Sequence, residues 1–181
     1  MSKIFLTSDW HFGHDKEFVW KVRGYNSIQE MNEGIIAKHN ALVTPEDIVY
    51  CLGDCSLGDI DNINNITKLN GQIKIIRGNH DTNRRVEAYK TLPNVEYIGW
   101  AEMIKYQGYL FYLSHYPTIT SNMDEGAPLK ARVLNLCGHS HANNKFQDMS
   151  KGLIYHVECD AHNCYPVSLD KIIEDFKIFG Q

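Results

Sequence analysis

The feature that most constrains this chain is the way five of its apolar runs end. IFLTS leads into Asp9 and His11, and IVYCLG into Asp54. IKIIRG leads into Asn79, His80 and Asp81, LFYLS into His115, and VLNLCG into His139 and His141. Short unbroken apolar runs of this kind read as strands buried on both faces. In α/β sheets the carboxyl ends of such strands are where sites form. A single ending of this type is an ordinary polar turn, since Asp, Gly and His are common loop residues. Five in one chain, all rich in metal-ligand residue types, imply side chains gathered at one place.

The runs are set in an alternating order. Lys3–Ser8 reads as a strand, and Ser27 to Leu42 as a helix opened by the capping box Ser27-x-x-Glu30. Asp47–Leu52 is the next strand. Asp59 caps a helix whose Ile60, Ile63, Ile66 and Leu69 recur every three residues, and Gln72–Arg77 and Thr82–Thr91 continue the alternation. Strands then follow in series: Val95–Ile98, Ala101–Tyr106, Tyr109–Ser114, Arg132–Cys137 and Leu153–Cys159, with a hairpin turn at Gln107-Gly108. Ser168 caps a last helix, Leu169 to Ile178. Alternation followed by consecutive strands predicts two packed sheets with helices outside.

The 181 residues suit one domain, spanning 1–181. Net charge is −4 and no Lys/Arg run occurs, so neither extended nucleic acid nor a membrane surface is an expected partner. No stretch approaches the roughly 20 apolar residues of a membrane span. Five cysteines, an odd number without CxxC or a secretory leader, predict reduced thiols and a cytoplasmic location. Cys51 and Cys137 lie within apolar runs and are expected in the core.

Asp, Asn and His together offer oxygen and neutral nitrogen, which suit Mn, Fe, Zn, Ni or Co without thiolate. Seven or eight such groups are too many for one ion and fit two that share a carboxylate. With only Asp9 and Asp54 anionic among them, two divalent ions leave a positive surplus suited to a phosphate. Asp9 and His11 are two apart, a spacing that in extended chain points both side chains the same way.

The motifs Asp9-Trp10-His11, Gly53-Asp54, Gly78-Asn79-His80-Asp81, His115 and Gly138-His139-Ser140-His141 resemble, in this order, the calcineurin-like metallophosphoesterase superfamily. The phrase SDWHFGH resembles its compact bacterial and phage members. The resemblance implies a four-layer α/β/β/α sandwich of two mixed sheets flanked by helices. It also implies a phosphoric ester hydrolase acting on a phosphodiester or phosphomonoester. Asp9, His11 and His141 would hold one ion, Asn79, His115 and His139 the second, and Asp54 would bridge. His80 would ligate no metal; it would face substrate and protonate the leaving group. With 40 residues beyond His141, no capping or accessory domain is expected, and substrate choice falls to the loops Phe12–Tyr25 and Tyr116–Lys130. The open architecture suggests a small nucleotide-type substrate. A nuclease of the same superfamily is the enzymatic rival, but would call for basic surface. A protein-interaction scaffold of the same fold would have no reason to keep His80.

Around these motifs, His14 is a candidate substrate contact, a support for His11 or a surface-loop residue, and Arg23 is a candidate phosphate contact through its guanidinium or a solvated surface residue. Asp81 is expected to cap the helix that follows it or to orient His80. Asp160 is expected to cap or brace its loop. His39 reads as structural or exposed, and His156 and His162 lie outside the motifs.

Overall fold

The computed structural model describes residues 2–120, 127–147 and 153–179. In chain order the strands are β1 (Ile4–Thr7), β2 (Ile48–Cys51), β3 (Gln72–Ile76), β4 (Val95–Gly99), β5 (Ala101–Tyr106), β6 (Tyr109–Ser114), β7 (Val133–Cys137), β8 (Ile154–His156) and β9 (Val167–Ser168). The α-helices are α1 (Glu17–Trp20), α2 (Ile28–Asn40), α3 (Asn83–Tyr89) and α4 (Leu169–Phe179), with 3-10 helices at Ile60–Lys68, Leu129–Ala131 and Cys159–His162.

One sheet has the order β4-β3-β2-β1-β9 and the other β5-β6-β7-β8. Both are mixed. β1 to β4 run parallel and β9 lies antiparallel on β1. β6, β7 and β8 run parallel, with β5 antiparallel to β6. Side-chain alternation divides the parallel strands between two cores. Phe5, Val49, Cys51, Ile73 and Ile75 face α2 and the long 3-10 helix, packing with Met31, Ile35, Ile63 and Ile66. Leu6, Tyr50 and Leu52 face the other way, into a cluster with Phe111, Leu113, Leu134 and Leu136 of the second sheet. α4 joins that inter-sheet cluster through Leu169, Ile172, Ile173 and Phe176. A strand buried on both sides needs apolar residues at successive positions, which is why these runs carry no period of two.

The local signals resolve in detail. Ser27 Oγ accepts from Glu30 N at 3.1 Å, but the Glu30 carboxylate accepts from Asn26 N at 2.9 Å, one residue before the position a capping box implies. The apolar stripe Ile60, Ile63, Ile66 and Leu69 lies on a 3-10 helix. With three residues per turn that geometry keeps a period-three stripe on one side, where an α-helix would let it drift. Gln107 and Gly108 both have positive φ, +50° and +83°, as a type I′ hairpin turn requires. Thr82 caps α3 and Ser168 accepts from Lys171 N at the start of α4. β9 and α1, two and four residues long, are too short to leave a periodic pattern in sequence. All five cysteines are buried and free. Among the described residues no helix is long and apolar enough to cross a membrane.

Candidate metal centre

The five strand ends converge. β1, β2 and β3 of the first sheet lead into Asp9 and His11, Asp54 and Asn79; β6 and β7 of the second lead into His115, His139 and His141. The loops after β1 and β2 stay paired past the sheet: Asp9 N donates to Gly53 O at 3.0 Å, His11 N to Asp54 O at 3.0 Å and Phe12 N to Cys55 O at 3.1 Å. Trp10 and Phe12 are thereby buried in the helix-side core.

Asp9 and His11 do not lie on extended chain. Their φ values are +56° and +52°, and Asp54 (+55°), His139 (+75°) and His141 (+50°) share the left-handed region. The expectation that a strand-like i, i+2 spacing aims Asp9 and His11 together is corrected: a left-handed turn at each residue does so. For residues with a Cβ this conformation costs about 1–3 kcal/mol each, and its concentration on five of the seven candidate ligands marks a site held in place by its surroundings.

Two groups of donors form. Asp9, His11 and His141 bring ligand atoms within 4.8 Å of one another, as do Asp9, Asp54 and His115. His11 Nε2 and His141 Nε2 are 3.1 Å apart, and each is 3.7 Å from Asp9 Oδ1. Asn79 Oδ1 lies 2.9 Å from His115 Nε2 and 2.8 Å from His139 Nδ1. Asp54 Oδ2 reaches toward both groups, 3.9 Å from His11 Nε2 and 3.6 Å from His115 Nε2.

The surroundings fix which ring atom is free. His115 Nδ1 lies 2.8 Å from the carbonyl of Leu52, so it donates there and leaves the Nε2 lone pair facing Asn79 Oδ1. His141 Nδ1 donates to Asp160 Oδ2 at 2.7 Å, leaving the Nε2 lone pair turned to His11. Asp9 Oδ2 accepts from His139 N at 3.0 Å, while Asp9 Oδ1 is buried with no hydrogen-bond partner among the described residues. Acceptor faces acceptor at His115 and Asn79, two ring nitrogens meet at His11 and His141, and a buried carboxylate oxygen stands unpaired. A cation reconciles both, and the O/N donor set fits a divalent metal.

Charge follows the same pattern. Burial alone would raise the Asp9 carboxyl, but His11 at 3.7 Å, with the nearby imidazoles of His115 and His141, brings it down to about 2. Asp54 is shifted upward, chiefly by burial. The Asp160 hydrogen bond raises His141, and burial beside His115 lowers His139. His14 lies tilted against His11, ring centroids 5.3 Å apart, and burial with neighbouring imidazoles lowers it to about 4. His80 is a member of neither donor group, though it borders them. Its side chain is 45% exposed, its Nε2 is 4.0 Å from Asp54 Oδ2, and its backbone N donates to Asp54 Oδ1 at 2.8 Å.

Three residues have different work from that expected. The Arg23 side chain is 2% exposed; it grips Asp160 at 3.0 and 2.8 Å and donates to the carbonyls of Asp9 and Trp10. Its donors are committed to the protein, so it braces the site wall instead of presenting a free guanidinium to phosphate. Asp81 neither caps α3, which Thr82 does, nor touches His80. Its buried carboxylate accepts from Gly78 N, Asp54 N, Cys55 N and Tyr89 Oη, tying the β2 and β3 loops together. Asp160 is the carboxylate that orients His141. Sequence reading missed Glu158, fully buried, whose Oε1 accepts from Ala142 N at 2.9 Å and lies 3.0 Å from His156 Nδ1, anchoring the loop that carries His139 and His141. A Glu within the apolar run Leu153–Cys159 was the available signal. His39 is structural, buried with Nε2 on Asn70 O. Part of the Tyr116–Lys130 loop, 121–126, lies outside the described residues.

The glycines of the motifs permit this closeness. Gly53 has φ +99°, and a Cβ there would meet Gly78 N at 2.5 Å and His115 Nδ1 at 2.7 Å. A Cβ on Gly78 would meet Asp54 N at 2.5 Å and also collide with Asp54 Oδ1.

Two mixed sheets that bring Asp, Asn and His side chains together at the carboxyl ends of their strands define a metallophosphoesterase-type fold, and the chain belongs to the calcineurin-like phosphoesterase superfamily, whose domain model matches residues 3–157. Among particular relatives it is 34% identical to the uncharacterized protein MJ1445 of Methanocaldococcus jannaschii, covering 96% of this chain and 91% of that one. The fold is similar to that of the protein of unknown function AQ665 from Aquifex aeolicus, with TM-score 0.73, 21% identity and coverage of 96% of this chain and 99% of that one. It is also similar to a structure described as a novel archaeal phosphodiesterase, with TM-score 0.51, 19% identity and coverage of 88% and 86%.

Proposed function

We propose that the protein is a binuclear, metal-dependent phosphoesterase that hydrolyses a phosphodiester or phosphomonoester of small nucleotide type. The observation that carries the reading is the meeting of unpaired acceptors. The Nε2 lone pair of His115 faces Asn79 Oδ1, the Nε2 lone pair of His141 faces His11, and buried Asp9 Oδ1 has no partner among the described residues. Asp9, His11 and His141 would hold one divalent ion, Asn79, His115 and His139 the other, with Asp54 between them. Mn, Fe, Zn and Ni all suit these donors. Two such ions supply an activated water near neutral pH and draw charge from phosphoryl oxygens.

The chain's own groups do the rest. The second nitrogens of His115 and His141 are held by Leu52 O and Asp160, which fixes both rings before any ligand arrives. His80 is half-exposed beside Asp54 and outside both donor groups; in this reading it contacts the phosphoryl group and gives a proton to the leaving oxygen. Asp81 and Glu158 hold the loops in register from behind.

The test is turnover by the purified, Mn-loaded protein of phosphomonoesters, linear diesters, cyclic nucleotides and short oligonucleotides. Hydrolysis of small esters above oligonucleotides is expected. Preference for oligonucleotides would favour a nuclease, and silence across the panel would favour a scaffold.

A further inference from the structure

A cavity of about 730 Å³ opens beside the candidate centre, where His11, His80 and His141 form part of its lining. The volume falls within the range of small-molecule sites, roughly 300–1,000 Å³. α1 and the turn after it contribute Phe18, Val19 and Val22, and Lys38 of α2 and Asn163 beyond the 3-10 helix Cys159–His162 contribute also.

Resting on the phosphoesterase reading, we propose that this cavity is the leaving-group pocket, and that it takes an uncharged aromatic alcohol of nucleoside size. Three observations support it. First, His80, the group placed to protonate a leaving oxygen, belongs to the cavity lining, so a departing alcohol lies within it. Second, the cavity wall carries large apolar surface open to solvent: Phe18 is 69% and Val22 75% exposed. The Phe18 ring lies perpendicular to that of His14, centroids 5.8 Å apart, and its exposure leaves ring surface available for stacking.

Third, the charged groups of the lining are already engaged by the protein. Asp160, its carboxylate, is gripped by Arg23 at 2.8 Å. The Lys38 ammonium donates to Asn163 O at 2.9 Å and lies 5.3 and 5.4 Å from the ring centres of Tyr25 and Tyr165. Among the described residues a second phosphate would find Lys38 alone and no cluster of free cations, whereas a flat ring meets Phe18 and Val22 and its polar edge meets Asn163. Phe18 and Val22 are therefore specificity-determining residues, and the phosphate stays at the centre while the alcohol fills the cavity.

Two readouts test this. In saturation-transfer NMR on the metal-free chain, adenosine, cytidine and 2-naphthylmethanol are the probes. Signals are expected with the wild type and Phe18→Tyr, and weaker signals with Phe18→Ala and Val22→Ala. Response to all three establishes the shared aromatic-alcohol chemistry, response to the nucleosides alone narrows it to the nucleoside, and response to none overturns the pocket. In the second readout, the Mn-loaded protein is given a nucleoside 5′-phosphate and ethyl phosphate, and their methyl diesters. These leave as alkoxides of similar basicity but different bulk.

The preference in kcat/KM for the nucleoside ester is expected to fall about tenfold in Phe18→Ala, within the range of a lost base–aromatic stack, and to be restored in Phe18→Tyr. Turnover with the same preference in every variant overturns the pocket and leaves the phosphoesterase reading intact. Probe binding that depends on Phe18, without turnover of any ester, keeps the cavity as an aromatic site but overturns both the phosphoesterase reading and the leaving-group role.

Discussion

Asp160 Oδ2 accepts from His141 Nδ1 at 2.7 Å, so the carboxylate gripped by Arg23 also decides which nitrogen of His141 is free. The 18 residues from 142 to 159 separate the two positions, and no shared motif links them. Removing that carboxylate would act on a bound ion through the ring's tautomer and orientation. Asp160→Asn is expected to weaken the ion at Asp9, His11 and His141 by about 10–100-fold, with the ion at Asn79, His115 and His139 largely retained. Isothermal titration with Mn, resolved into two sites, reads this directly; equal weakening of both sites would contradict the assigned role.

Asp54 Oδ2 faces a histidine from each donor group, whereas His141 faces one. Elemental analysis after Mn loading and desalting should approach two ions per wild-type chain. Asp54→Ala is expected to lower occupancy at both positions and His141→Ala at one. Loss of the same single ion in both variants would show that Asp54 does not bridge.

His80→Ala separates proton donation from charge stabilisation. General acid help is worth about 10²–10⁴-fold. The rate loss should approach that range for an alkoxide leaving group and be much smaller for a nitrophenolate, which leaves unprotonated. The ion count should be unchanged, because His80 lies outside both donor groups. A loss equal for all leaving groups would assign His80 to the phosphoryl oxygens alone, and a loss of metal would make it a ligand.

Gly78→Ala tests the close approach of the β2 and β3 loops. A Cβ there meets Asp54 N at 2.5 Å, and both neighbours are backbone or ligand atoms that cannot swing away. Overpacking of this kind costs about 1–3 kcal/mol, so a lower midpoint in urea is expected together with weaker metal binding. A variant with unchanged stability and unchanged Mn affinity would mean that the loops have room to separate.

Asp175 gives a pH dependence remote from the centre. Its carboxylate accepts from Tyr155 Oη at 2.8 Å and from Lys145 and Lys171 at 3.0 and 3.1 Å. Burial opposes its ionisation, but these three partners win and its pKa is lowered. A carboxyl whose folded pKa lies below its unfolded value of roughly 3.9 stabilises the fold above that pH. The contribution is lost as pH falls through the folded value. Asp175→Asn should therefore cost about 1 kcal/mol at pH 7 and progressively less as the pH falls below 4. Urea midpoints of the two proteins at both pH values supply the comparison, and a constant gap would remove the carboxylate charge from the account.

Much of this was legible because the signals are local. Buried strands write continuous apolar runs, Gln107-Gly108 writes its turn, and each strand ends in its own ligands. What sequence could not carry was the direction in which a side chain is aimed after the chain folds. Arg23 and Asp160 are 137 positions apart, so nothing local indicated that the guanidinium would be spent on that carboxylate. The same holds for Asp81, whose neighbour Thr82 takes the cap while its own oxygens reach back to Asp54 and Cys55. Left-handed φ at Asp9 and His11 was hidden for a different reason: Asp and His carry no glycine-like mark for it, and only the surrounding bonds to Gly53 and Asp54 enforce it.

The split of the donors between the sheets has a mechanical consequence. Asp9, Asp54 and Asn79 hang from the first sheet, and His115, His139 and His141 from the second. Anything bound by both sets rivets one rim of the sandwich. At the far rim, where Gln107-Gly108 turns from β5 to β6, Tyr106 and Gln107 reach Asp170 by two side-chain hydrogen bonds. The sandwich then behaves like a book held at its spine. Loading the donor cluster would stiffen one edge against shear, leave the hairpin edge to open first under force or denaturant, and make that cluster the strongest seam between the two halves.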